Sequence, residues 1–274
     1  MGIGSKKGGG VVSSIVKNAQ ARPGVFAVYL IARVGLVILF VECVLAGRYE
    51  YALLCVLVAV LLYVPDFIER KLSVELPDVL EIIIIFFIIA AEVLGEMGSF
   101  YVKIPYWDTM LHTLWGFLAA GIGFALVDIL NRSESTSLNL TPLFMAVVAF
   151  CFSMSVGALW ELFEYAMDSF LGFDMQKDTW VTAFGSVALD PTNSNVVVPV
   201  TDIVSTQITL TSGEVIALDG YLDIGIHDSM ADLFVNMIGA LVFSLIGFAF
   251  VKGQGRSGKR SLARHFIPRV KKGD

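Results

Sequence analysis

The chain has 274 residues, of which 56% are hydrophobic and only 16% are charged, and its mean hydropathy is +0.77. Soluble domains carry roughly 25% charged residues. This composition therefore excludes a water-soluble enzyme, a disordered tail protein and a disulfide-rich secreted module. The formal net charge of −6 averages over two basic ends and an acidic middle. The composition predicts an integral membrane protein.

Six apolar runs are long enough to be considered as membrane spans, since a bilayer core of about 30 Å needs roughly 20 helical residues. They are residues 25–46, about 49–64, 79–97, 107–130, 143–170 and 228–251. The second run is the weakest, because its unbroken apolar stretch stops at Pro65. The predicted fold class is an all-α polytopic membrane protein with six transmembrane helices.

Lysine and arginine residues predict the orientation, because loops rich in them stay in the cytoplasm. Fifteen of the 19 lie before the first span, between the second and third, between the fourth and fifth, or after the last. Only three lie on the opposite side: Arg48, Lys103 and Lys177. A multi-pass protein of the cell membrane with both termini cytoplasmic is predicted. Residues 1–24 form its N-terminal segment, and residues 252–274 form a basic tail that either contacts anionic headgroups or is solvated.

Arg33 is the exception, because it lies near the middle of the first span. A charged group at this depth needs a partner. An ion pair with Glu81 or Asp128 is favoured, and a contact with a lipid headgroup is the alternative.

The segment between the fifth and sixth spans, residues 171–227, differs from the other loops. It contains one basic residue, Lys177, and β-branched residues are concentrated at 196–200, 206–210 and 215–218. The turn Thr-Ser-Gly-Glu at 211–214 separates the last two runs, which predicts a small β-hairpin. The domain organisation is thus a membrane domain of spans one to five at 25–170, an extracytoplasmic loop with a β-hairpin at 171–227, and a sixth span at 228–251.

Ionisable side chains are unfavourable inside a membrane, so their positions are informative. At 1.5 Å per residue, the predicted outer halves of several spans contain most of them. They are Asp108 and His112 on span four, Glu161, Glu164 and Asp168 on span five, Asp228, Asp232 and Asn236 on span six, and Glu92 on span three. Within spans four, five and six the spacings place these residues on single stripes, and glycines would let those helices approach. A polar pocket that opens outward between spans four, five and six is predicted.

Each residue also has a structural interpretation. Asp108 and Asp228 could be helix N-caps, and His112 could be an interior histidine with satisfied hydrogen bonds. The Glu161 and Glu164 pair could be solvated at the membrane surface. Together, however, the carboxylates crowded around one imidazole would repel one another unless protons, a cation or a metal ion neutralised them. The combination favours a functional site.

Three motifs resemble those of a known family. They are Tyr-Trp-Asp-x-x-x-His at 106–112, Trp-Glu-x-x-Glu at 160–164 and Asp-x-x-x-Asp-x-x-x-Asn-x-x-Gly at 228–239. In this order they look like the YjdF family of bacterial inner-membrane proteins and, more distantly, the VanZ-like proteins. The resemblance covers about residues 105–240. It implies a polytopic protein of the bacterial cell envelope and no particular reaction, and it makes Lys177 and either Asp174 or Asp178 second-rank site candidates.

The favoured hypothesis is a metal-dependent hydrolase or transferase acting on an envelope lipid or a lipid-linked substrate. The predicted ligands of a Mg²⁺, Mn²⁺ or Zn²⁺ ion are Asp108, His112, Asp228 and Asp232. Glu161 or Glu164 is the predicted general base, and Asp168, Asn236, Glu92 and Asp178 have supporting positions. A proton- or cation-coupled transporter and a non-catalytic envelope scaffold are the alternatives. Membrane lipids are the expected partners, and nucleic acid is not.

Overall fold

The computed structural model describes residues 20–71, 74–132, 139–253, 266 and 269–270. Most of the predicted cytoplasmic segment 1–24 and of the predicted basic tail 252–274 lies outside the described residues. The described chain is mostly helical, with short antiparallel strand pairs. It divides into two compact units, one made of residues 1–156 and 235–274 and the other of residues 157–234.

Five helical segments in the described chain are long and apolar enough to cross a membrane. They are α1 (Pro23–Leu45), the consecutive α2 (Tyr49–Leu61) and α3 (Val64–Lys71), α6 (Trp107–Arg132), α7 (Pro142–Leu171) and α8 (Ile226–Gly253). α1 begins with a proline, whose fixed φ suits the first helical turn. Only 17% of the most apolar stretch of α1 is buried. Its side chains are therefore available to lipid.

The third predicted span, residues 79–97, is not a single α-helix. It consists of α4 (Asp78–Ile88), followed directly by a π-helix at Ile89–Met97. Neither piece reaches the length required of a membrane-crossing helix, so this segment is not among the five. A π-helix is rare and frequently occurs at functional sites, and this one contains Glu92. The short helix α5 (Phe100–Lys103) follows it.

An apolar core joins α1, α2 and α4 in the first unit. Its buried residues include Leu36 on α1, Val58 on α2 and Ile85 on α4. Next to this core, Arg22 joins the beginnings of two helices. Its Nε lies 2.6 Å from an oxygen of Asp78, and its Nη2 lies 2.5 Å from an oxygen of Glu81.

The predicted ion pair between Arg33 and Glu81 is therefore wrong, because Glu81 pairs with Arg22 instead. The guanidinium carbon of Arg33 lies 4.9 Å from the ring centroid of Tyr29 and 5.4 Å from that of Tyr63. Arg33 makes no ion pair with another described residue. Two aromatic rings lie against this charge, and no described carboxylate forms an ion pair with it.

Glycines allow α6 and α8 to approach closely in the first unit. A Cβ atom added at Gly116 would overlap the carbonyl oxygen of Asn236, and one added at Gly239 would overlap the carbonyl oxygen of Thr113. The Ser153 hydroxyl of α7 donates a 2.8 Å hydrogen bond to the carbonyl oxygen of Gly116. Helices packed through small residues approach at the backbone. Gly116 and Gly239 therefore allow the close helix approach that was predicted for the glycines of these spans.

Four antiparallel strand pairs complete the described secondary structure. In chain order they are β1 (Val74–Glu75) with β8 (Arg269–Val270), β2 (Thr179–Val181) with β7 (Tyr221–Asp223), β3 (Phe184–Ser186) with β4 (Val198–Val200), and β5 (Thr206–Thr209) with β6 (Val215–Leu218). The β5–β6 pair joins two of the β-branched runs around the turn at 211–214, with Thr209 opposite Val215. The third run, 196–200, contributes β4, whose partner strand the sequence analysis missed. The side of the membrane on which these strands lie stays a prediction.

Asp190 orders the chain between β3 and β4, after a short 3₁₀ helix at Val187–Leu189. Its carboxylate accepts hydrogen bonds from the backbone N–H groups of Thr192, Ser194 and Val196 and from the Thr192 hydroxyl. Because these donors favour the ionised form, the pKa of Asp190 falls to about 2. This one carboxylate therefore contacts three residues of the segment, Thr192, Ser194 and Val196.

Candidate functional site

Asp108 and His112 lie one turn apart at the beginning of α6. Nε2 of His112 is 3.5 Å from Oδ1 of Asp108, and the two side chains are 11% and 30% exposed, respectively. Asp108 is in the first helical turn, where the helix dipole favours a negative charge. The neighbouring Trp107 donates from Nε1 to the carbonyl oxygen of Ala90, 3.3 Å away. The start of α6 is thus anchored at the point where both polar side chains project.

Asp232 and Asn236 lie one turn apart on α8, and both are buried, with 4% and 1% of their surface exposed. The Nδ2 group of Asn236 donates to the sulfur of Met154 at 3.6 Å, which is a weak acceptor. Its Oδ1 has no hydrogen-bond partner among the described residues. A buried amide oxygen without a partner is unfavourable inside a protein.

Asp108, His112 and Asp232 form an acidic/His cluster. One candidate ligand atom from each side chain lies within 4.8 Å of the other two. Two carboxylates and an imidazole are a donor set that Mg²⁺, Mn²⁺ and Zn²⁺ all accept. Three of the four side chains that the sequence analysis chose as metal ligands are in this cluster.

Asp228, the fourth predicted ligand, has a different environment. It lies in the first turn of α8, and its Oδ2 accepts a 2.6 Å hydrogen bond from the backbone N–H of Lys177. Nearby, Nε2 of Gln176 lies 2.5 Å from the hydroxyl of Ser229. These contacts attach the segment that follows α7 to the beginning of α8. Gln176 and Ser229 were missed from the sequence, because neither is part of a spacing pattern.

The three carboxylates of the acidic stripe on α7, Glu161, Glu164 and Asp168, have two kinds of environment. Glu161 and Glu164 are each only 7% exposed, and Nε1 of Trp160 donates to Oε1 of Glu164 at 2.9 Å. Asp168, by contrast, accepts hydrogen bonds of 2.7 and 2.9 Å from the backbone N–H groups of Met175 and Gln176. Asp168 therefore orders the chain that follows the helix, while the two glutamates are buried.

The remaining supporting candidates lie outside the three-residue cluster. Glu92 lies in the π-helix, near the like charge of Glu96. Asp178 is exposed, and a loss of hydration together with the carboxylates of Asp174 and Asp223 raises its pKa. Lys177 donates from Nζ to the carbonyl oxygen of Asp174. Asp174, Asp178 and Asp223 thus form a local acidic group in the second unit.

An apolar groove runs along α6, and neither Asp108 nor His112 lines it. Its cavity volume is about 490 Å³, and it belongs to the first unit. The lining residues are Tyr106, Thr109, Met110, Thr113, Leu114 and Phe117, together with Gly239 and Val242 of α8. Small-molecule sites are typically concave, mostly apolar and of about 300–1,000 Å³. The groove volume falls within that range, and its lining is almost entirely apolar.

Comparison with known proteins yields one family match. Residues 27–253 match the model of a family described as "Predicted membrane protein (DUF2238)", and the YjdF proteins belong to that family. No curated protein matches the chain, and neither does any solved structure.

Proposed function

Because the chain belongs to the DUF2238 family of predicted membrane proteins, we propose that it is a bacterial multi-pass protein of the cell envelope with a divalent metal site. Asp108, His112 and Asp232 are the proposed ligands. The proximity of their donor atoms within 4.8 Å is the observation that supports this site most directly. A divalent cation bound here would favour the ionised form of both carboxylates.

The proposed reaction is hydrolysis or group transfer on a lipid or a lipid-linked substrate. A bound ion would polarise the reacting group and lower the pKa of a water molecule. Glu161 and Glu164 are the proposed general bases, because they are the buried carboxylates of a spanning helix. The hydrogen bond from Trp160 holds Glu164 in one orientation, which is what a base that accepts a proton from water needs.

The apolar groove supports an amphiphilic substrate. From Tyr106 to Phe117 it extends about 16 Å along α6, close to half of a bilayer core of about 30 Å. A hydrocarbon chain in one leaflet has the same direction and length. We assign the groove to that chain, whose polar end would then lie near the beginning of α6.

Metal binding by the purified protein tests the proposed site. We expect His112→Ala and Asp232→Asn each to weaken Mn²⁺ or Zn²⁺ binding by about tenfold or more, since even the loss of an outer-shell partner of a metal ligand weakens binding 10–100-fold. Metal content by mass spectrometry and titration calorimetry give the measurement.

The Asp223 and His227 pair is the matched control. It has the same i, i+4 spacing, and Nδ1 of His227 lies 3.1 Å from an oxygen of Asp223, but His227 is 58% exposed. Changing His227 to alanine should leave metal binding unchanged. Negligible metal in the unaltered protein, with no response to added metal, would eliminate the metal site.

The proposed orientation has six spans, both termini cytoplasmic and residues 171–227 outside. A cysteine introduced at the exposed Ser194 should react with an impermeant maleimide in intact cells, because it lies in the proposed outer loop. A cysteine at Ser257, outside the described residues, should react only after the cells are opened. The reverse labelling pattern would contradict the orientation.

A further inference from the structure

Arg33 lies at a depth where a charge is unusual. It is the eleventh of the 23 residues of α1, so its Cα is about 15 Å from the beginning of a helix about 35 Å long. The residue is exposed, and so are its apolar neighbours Leu30 and Val34, at 51% and 50%. Charged side chains within a span normally face the protein interior and pair with one another. Arg33 faces the surface that the lipid covers.

The contacts of Arg33 direct its charge toward one face of the membrane. Tyr29 is one turn closer to the beginning of α1, and Tyr63 follows the end of α2. The guanidinium lies against both rings. Long cationic side chains extend in this way toward the headgroup region while their stems remain in apolar surroundings. Tyr63 is itself 58% exposed, and tyrosine is enriched at membrane interfaces.

We propose that Arg33, with Tyr29 and Tyr63, binds the phosphate of an anionic phospholipid in the leaflet that contains the beginning of α1. The two rings contact the guanidinium by cation–π interaction, which leaves its N–H donors available. A guanidinium presents its donors in a planar fork that matches two phosphate oxygens. Since Arg33 has no ion-pair partner among the described residues, its one positive charge is complementary to a headgroup with one net negative charge.

Lipid binding by the full-length protein in mild detergent tests this site. We expect phosphatidylglycerol to bind and to raise the melting temperature, whereas phosphatidylcholine and inorganic phosphate have much smaller effects. Arg33→Gln should weaken phosphatidylglycerol binding about tenfold, as expected for the loss of a charge-assisted contact. Arg33→Lys, which keeps the charge but loses the fork, should bind with intermediate affinity. Native mass spectrometry of retained lipid gives a readout that does not depend on thermal stability.

Arg48 is the matched control. It also lies over a tyrosine ring, 5.9 Å from the centroid of Tyr51, but it has an ion-pair partner in Glu42 at 3.2 Å. The Arg48→Gln variant should retain phosphatidylglycerol binding. Equal binding of phosphatidylcholine, an equal effect of inorganic phosphate, or full binding by Arg33→Gln would overturn the proposal. A change in oligomeric state on Arg33→Gln with unchanged lipid binding would also overturn it, since Arg33 would then contact a second copy of the chain.

Discussion

Gly239→Ala is expected to disrupt the packing of α6 against α8 and to destabilise the membrane domain. The added methyl group would overlap the carbonyl oxygen of Thr113 and approach the backbone nitrogen of Phe117 to 2.9 Å. Both neighbours are backbone atoms, so no side-chain rotation can relieve the overlap. Overpacking of this kind costs typically about 1–3 kcal/mol, and more where the backbone must move. The midpoint of thermal unfolding in detergent measures the effect, and Gly116→Ala should behave in the same way.

Gly35→Ala is the control for these two variants. Gly35 lies on α1, and a Cβ added there meets no atom within 4 Å. Alanine is a better helix former than glycine by about 1 kcal/mol, so this variant should be as stable as the unaltered protein or slightly more stable. If Gly239→Ala and Gly35→Ala unfold at the same temperature, the close crossing of α6 and α8 is wrong.

Glu161→Gln and Glu164→Gln are expected to abolish function while the protein remains folded. Glutamine keeps the volume and removes the charge, so a general base is lost without a cavity. The loss of acid or base catalysis typically lowers the rate by 10²–10⁴-fold. Complementation of a strain that lacks the protein measures function, and the thermal unfolding midpoint measures folding.

Two further variants make this test specific. Glu214→Gln changes an exposed glutamate in the turn between β5 and β6 and should complement fully. Trp160→Phe removes the hydrogen bond to Glu164 but leaves the carboxylate of Glu164 in place. This variant should therefore cause a smaller defect than Glu164→Gln. Full complementation by both Glu161→Gln and Glu164→Gln would leave a structural role for these carboxylates as the better account.

The membrane-crossing helices were predictable from the sequence, because they follow from the exclusion of apolar residues from water. The lengths of the apolar runs are sufficient to identify five of the helices, because each must satisfy its backbone hydrogen bonds internally and give its side chains to lipid. The π-helix at Ile89–Met97 was not predictable, since it replaces i→i+4 by i→i+5 bonds without a change of composition. The strand pairs β2–β7 and β3–β4 were not predictable either. Their partners are 44 and 12 residues apart in the registers Thr179 with Asp223 and Ser186 with Val198, and such pairing depends on how the intervening chain closes.

Candidate residues of the site were identifiable from the sequence because a charge in a membrane segment is unfavourable and therefore conspicuous. That argument selects Asp108, His112 and Asp232, and helical spacing gives the stripe to which each belongs. The same argument also selects Asp228 and Asp168, however, because they too are carboxylates near the end of a span. Only the tertiary structure distinguishes them: Asp228 and Asp168 accept hydrogen bonds from backbone N–H groups, and the ligand atoms of the other three converge. The same holds for Arg33, whose charge the sequence displays and whose aromatic surroundings depend on helix packing. Composition and periodicity determine which residues enter the membrane, whereas the partners of a buried charge depend on contacts between segments distant in sequence.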